Sequence, residues 1–267
     1  MLNHAYGNKN INYGIIDKKM GGQMRTTNPL QRESVYNSVY DSEQGVMTIS
    51  GTAGKLLLLS AIMLIGAYFT FYQFRLGHTD YVNGLMIGGI AIGFILAIIM
   101  SFKPKTTPYL SPVYALTQGA YVAGISCIFE QMFKGIVIQA VSLTLLTVLV
   151  MAFLFVTGII KATEKMRSIL FAATITIGLF YLISFVLMFF NISVPYFTQN
   201  TPLNIGINVV IAGIAALYLI LDFDFIQKGV ERGAPAFFEW YGAFSLLVTV
   251  VWLYIELLRL LSRLKDR

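Results

Sequence analysis

Asp222 and Asp224 stand inside the apolar run IAALYLILDFDFI, and Glu239 and Glu256 stand at opposite ends of the next apolar run. A carboxylate in or near hydrocarbon is expensive, so it faces a cavity, a partner or an ion path. Such an acid can exchange a proton, ligate a hard cation through its oxygens, or join two helices by hydrogen bonds. Asp222 and Asp224, two residues apart on one helix, project in widely different directions and are no ready-made pair. Asp222 lies deeper in the apolar sequence and is the stronger candidate for an ion path, a gate or proton sensing; a structural hydrogen-bonding role competes with that. Asp224 is nearer the polar end, where solvation alone would account for it. Glu239 opens the next run from the same side and is the expected partner of Asp222 across the two helices. Asp222 and Glu239 would then share a proton or hold one metal cation between them, against a plain interface role for Glu239.

A second polar group is expected at the far end of the last run. Arg259 follows Glu256 by three residues, a spacing suited to a local ion pair on a helix. Glu130, near the far end of an earlier apolar segment, is a further candidate partner. A solvated salt-bridge cluster is the favoured reading of Glu130, Glu256 and Arg259, and a second acidic vestibule is the alternative. No catalytic constellation competes with these acids. The chain has no G-x-S-x-G elbow, H-E-x-x-H pair or P-loop, and Asp222 has no aspartate in the last run to complete an intramembrane protease dyad. The expectation is therefore a protein without enzyme activity and without a tightly bound cofactor. His4 and His78 make no clustered metal site of the usual His/Cys kind. Cys127, the only cysteine, lies in an apolar segment and reads as a packed thiol.

The elements that must position these groups are membrane helices. Of the 267 residues, 57% are hydrophobic and only 12% charged, which excludes an ordinary soluble domain. Seven apolar segments have spanning length, about 20 residues each. They cover roughly 55–74, 82–102, 111–130, part of 135–159, part of 168–190, 206–226 and 237–261. Residues 1–50 are polar, mixed in charge and without apolar periodicity, so they read as a peripheral or flexible tail. Residues 51–267 form one transmembrane domain. The N-terminal MLNHAYGNKNINYG has no apolar region of the kind a cleavable signal needs. In the second span, Gly84, Gly88, Gly89 and Gly93 repeat at four-residue spacings, and in the third Gly119, Ala123 and Ser126 keep one side small. Such surfaces let a neighbouring helix come close.

The basic residues set an orientation. Six Lys and Arg lie in the tail through Lys55; Lys103 and Lys105 follow span two, Lys161, Lys165 and Arg167 follow span four, and Lys228 and Arg232 follow span six. The alternate loops hold Arg75, then Lys134, then none. This bias predicts a multi-pass protein of the cell membrane with a cytoplasmic N-terminus. The end of the chain resists the scheme, because seven complete crossings put Arg263, Lys265 and Arg267 outside. The formal charge of +6 is scattered through tail and loops without a dense stripe, so nucleic acid is not an expected partner.

The segments YALTQGAYVAGIS, LDFDFIQKG and EWYGAFSLLVTVVWLYIELLRLL, with the seven-span pattern, resemble the Bax inhibitor-1 family and its bacterial YccA-like branch over about residues 50–267. The resemblance implies an all-α polytopic bundle of seven transmembrane helices in which helical hairpins surround a central last helix. It also implies a pH-responsive calcium leak channel or a calcium/proton-linked transporter, with calcium as a transported or regulatory ion. Asp222 matches the acid of the family's D-x-x-x-I pattern in span six. The family's best-described site adds an Asp in the middle of the last helix; Thr249 stands near that position here. A di-aspartate latch is therefore not carried over, and Glu239 is the candidate replacement from another level of that helix. The expected partners are the bilayer, calcium and protons. The alternative function, for which the long tail leaves room, is a non-transporting regulator that binds a membrane protease or another membrane protein.

Overall fold

The computed structural model describes residues 45–190, 192, 194, 196 and 200–266. The expected tail over residues 1–50 therefore falls, up to residue 44, outside the described residues. Among them are seven helices long and apolar enough to cross a membrane. They are α1 (Ile49–Arg75), α2 (Thr79–Phe102), α3 (Thr107–Met132), α4 (Ile136–Val156), α5 (Glu164–Phe189), α6 (Pro202–Glu231) and α7 (Phe237–Lys265). A single 3-10 turn, Pro104–Thr106, leads into α3. The chain is thus an all-α polytopic membrane protein.

Several helices outrun their apolar segments. At 1.5 Å per residue α6 is about 45 Å long, against a hydrocarbon core of about 30 Å, so its ends carry polar residues that hydropathy alone does not count as span. Its start is set by Thr201, whose side chain accepts from the Asn204 N–H, with Pro202 in the first turn where a missing N–H costs nothing. The α1 start is capped in the same way by Thr48, which accepts from the Gly51 N–H at 2.9 Å. Just before it, Val46 pairs with Pro235 in an isolated antiparallel bridge, and Met47 donates to the Ala234 carbonyl at 2.7 Å. The residues that open α1 are thereby tied to the loop that opens α7.

The last helix is the centre of the bundle. Its most apolar stretch is 67% buried, against 17% for α1 and 11% for α5. It packs against α6, α1, α3 and α4, while α2 rests on α3 and α5 chiefly on α6. One end of the core gathers Met47, Met100, Tyr114, Phe238, Tyr241 and Phe244 around the start of α7. The other end gathers Ile136, Ala140, Tyr254 and Leu258. Helix α3 lies close on both α1 and α2. A side chain at Gly119 would collide with the Met63 carbonyl, and one at Gly66 with the Leu116 carbonyl. Gly89 and Gly93 of α2 give the same close approach to α3, and Gly93 makes room for the Gln118 side chain. Gly84 and Gly88 touch nothing within 4 Å, so only half of the glycine repeat serves this interface.

Candidate functional site

Asp222 lies within the last three turns of α6, on the side that meets α7, and only 3% of it is exposed. Two hydroxyls of α7 hold its carboxylate. Ser245 donates to Oδ1 at 2.7 Å, and Thr249 donates to Oδ2 at 2.6 Å. Ser245 and Thr249 are four residues apart, the spacing that stacks side chains on one helix face. Both are buried. The arrangement suits an ionised carboxylate, which only accepts hydrogen bonds.

The geometry also contains a way to answer a proton. Thr249 Oγ1 has a second acceptor, the Ser245 carbonyl at 3.2 Å. A hydroxyl has one hydrogen, so it serves one of the two acceptors at a time. When Asp222 is ionised, the shorter bond to Oδ2 takes that hydrogen. When Asp222 carries a proton, it can donate to Thr249 Oγ1, which then turns its own hydrogen to the Ser245 carbonyl. The proton stays on Asp222, each buried group keeps a partner, and the α6–α7 contact changes its donor.

Glu239 does not join this site. Its carboxylate lies over the start of α1: Thr48 donates to Oε1 from its N–H at 2.9 Å and from its hydroxyl at 2.8 Å, and Lys55 Nζ donates to Oε2 at 2.6 Å. Gly51 has no side chain because any Cβ there would run into this carboxylate. The N-terminus of a helix carries partial positive charge, so an acid is favoured there. The expected sharing of a proton or cation between Asp222 and Glu239 is therefore corrected. Glu239 is six residues from Ser245 along α7, about 9 Å of rise, and faces a different neighbour.

Asp224 is a salt-bridge residue. It pairs with Arg167 at the start of α5 and with Lys228 at 2.9 Å, and Arg167 also meets Glu164 at 3.7 Å. Arg167 is 4% exposed, so this network ties α5 to α6 under partial burial rather than in bulk solvent.

The expected far cluster divides. Glu130 turns away from it and accepts from the N–H groups of Gly135 at 2.5 Å and Val137 at 3.1 Å, closing the start of α4. Glu256 and Arg259 do pair, at 3.1 Å, but Glu256 is 1% exposed. It accepts from the Tyr181 hydroxyl of α5 at 2.9 Å and from the Asn208 amide of α6 at 3.2 Å. The solvated reading of this group is replaced by a buried node joining α5, α6 and α7. Ser245, Asn208 and Tyr181 are the partners that inspection of acids alone overlooks. A Ser and a Thr four apart, opposite an acid on the preceding helix, is the pattern that marks the first of them.

Among the described residues no group of three or more His, Cys, Asp and Glu comes together as a metal site. Asp222 is instead a buried carboxylate between two hydroxyls, where α6 meets the central helix α7. No curated protein and no solved structure matches the chain. A family model described as Bax inhibitor 1 like matches residues 19–266, which carries the likeness about thirty residues further toward the N-terminus than the motifs alone. The chain belongs to the Bax inhibitor-1-like family.

Proposed function

We propose that this protein is a pH-responsive calcium leak channel or a calcium/proton-linked transporter, gated at the Asp222–Ser245–Thr249 contact. The observation that carries the reading is the burial of a single carboxylate on two hydroxyls, one of which has an alternative acceptor. Protonation changes which group donates across α6 and α7, so a proton gained or lost at one atom biases the packing of the central helix. Two arrangements of one contact, selected by one proton, are what a switch requires. Calcium is here cargo, met in passage by oxygens, with no fixed cage. No catalytic step and no resident cofactor belong to this reading.

We further infer a cell membrane location with the N-terminus in the cytoplasm, supported by the Lys and Arg bias of the loops after α2, α4 and α6. The test is flux from calcium-loaded vesicles holding equal amounts of wild-type and variant protein. Asp222→Asn keeps the shape of the side chain but does not titrate. It should change the rate of calcium release and flatten its dependence on pH. Identical pH–flux curves for the two proteins would remove Asp222 from any gate. Absence of flux in both would favour a regulator of a membrane protease or other membrane protein, to be sought by capture from native membranes.

A further inference from the structure

Helix α5 stands apart from the rest of the bundle. It is polar-bonded near both ends, through Arg167 to Asp224 and through Tyr181 to Glu256, and little of its span is buried. Between those ends an open groove of about 980 Å³ separates it from α6. Ala173, Ile177 and Phe180 of α5 form one wall, and Gly206, Val210 and Ile214 of α6 the other. A water takes about 30 Å³ of liquid, but an apolar cavity stays dry and accepts apolar ligands instead. At this depth the surrounding medium is hydrocarbon. Leu203 and Val210 on the groove's rim are 73% and 61% exposed to it.

The groove's lining is uncharged, but a cation lies behind one end of it. Tyr196 lines that end, and the Arg263 guanidinium lies over the Tyr196 ring at 4.5 Å and donates to the Tyr196 carbonyl. Arg263 is 8% exposed, its Nη1 has no hydrogen-bond partner, and no carboxylate lies within ion-pair distance of it among the described residues. A buried, uncompensated cation beside an apolar groove calls for an anion attached to hydrocarbon. Low dielectric strengthens the attraction to a net negative headgroup across the intervening ring.

We propose that the α5–α6 groove binds an anionic phospholipid, with its acyl chains along the groove and its phosphate at the Arg263 end. The full chain, purified in detergent and stripped of lipid, is offered phosphatidylglycerol or phosphatidylcholine with the same chains, and retained lipid is counted by native mass spectrometry. Wild type should retain phosphatidylglycerol over phosphatidylcholine by about tenfold, the scale of a charge–charge attraction across one ring at low dielectric. A Cβ at Gly206 meets nothing within 4 Å and Gly206 lines the groove, so Gly206→Phe sends its ring into that space. It should lower phosphatidylglycerol retention by about tenfold with no loss of lipid-free melting temperature. Val210→Trp, built on an exposed position, serves if Gly206→Phe does not fold. Arg263→Gln should keep chain binding and erase the preference between headgroups. Equal retention by wild type and both groove-filling variants overturns the proposal, as does equal uptake of the two lipids by wild type. A cross-linked wild-type dimer lost in Gly206→Phe would assign the groove to a second copy and overturn it as well.

Discussion

At the residue scale the informative comparison is between Asp222 and Glu239, two acids on facing helices with different partners. Thr249→Val removes one donor from Asp222 while keeping a β-branched shape. It should destabilise the α6–α7 contact by about 0.6–1.7 kcal/mol, the range for interhelical hydrogen bonds in membranes. Combined with Asp222→Asn it should be non-additive by about 0.5 kcal/mol or more, because both changes touch the same bonds. Asp222→Asn and Glu239→Gln should instead add, since Glu239 answers to Thr48 and Lys55. Reversible unfolding in mixed micelles measures both cycles; coupling of Asp222 with Glu239 and none with Thr249 would restore the paired-acid site. The burial of Asp222 was legible because a carboxylate deep in an apolar run has to find polar partners. Its partners were not, because Ser and Thr are common in membrane helices and carry no charge to draw notice. Glu239 was misplaced for a related reason: sequence shows that two helix ends share a side of the membrane, but not which way a side chain turns around its axis.

At the element scale the bundle depends on how closely α3 approaches α1 and α2. Gly119→Ala should cost about 1–3 kcal/mol, as overpacking does, because the added methyl meets the rigid Met63 carbonyl. Gly88→Ala should be neutral or slightly stabilising, since nothing lies near it and alanine loses less entropy than glycine in a helix. Thermal melting of the two variants in one detergent separates these outcomes; equal losses would mean that the glycines act through helix propensity and not through contact. The contrast shows what a four-residue glycine repeat contains. It shows that one helix surface is small. It does not say which half of that surface meets a partner, which depends on where α3 crosses α2. Helix number and order were readable from hydropathy, because the bilayer sets a minimum apolar length. Helix ends were less so, since α5, α6 and α7 continue past the hydrocarbon on polar residues such as Glu164, Glu231 and Lys265.

At the scale of the whole molecule the contacts sort the loops into two faces, and the charges then orient them. Glu239 joins the start of α7 to the start of α1, and Arg167 joins the start of α5 to the end of α6. Met100 and Phe238 share one core cluster, which brings the α2–α3 turn to that face too. On the other face Asn200, just before α6, donates to the Arg263 carbonyl near the end of α7. Of the basic end that runs against the charge bias of the loops, Arg263 is buried while Lys265 is exposed. Arg259 is neutralised by Glu256, and Arg263 is buried on Tyr196. Neither is a solvated cation, which leaves fewer charges at this end against the orientation proposed from the loops. In a Cys127→Ser background, single cysteines at Lys105, Lys161 and Arg232 should react with an impermeant thiol reagent only after inverted vesicles or lysed cells expose the cytoplasm. Cysteines at His78, Lys134 and Asp266 should react from outside in intact cells. Labelling of Asp266→Cys together with the Lys105 group would mean that α7 enters and leaves on one side. That result would contradict a full crossing by a helix of 29 residues, and would place Glu239 and Glu256 at one surface instead of at opposite ends of the path that the Asp222 contact is proposed to control.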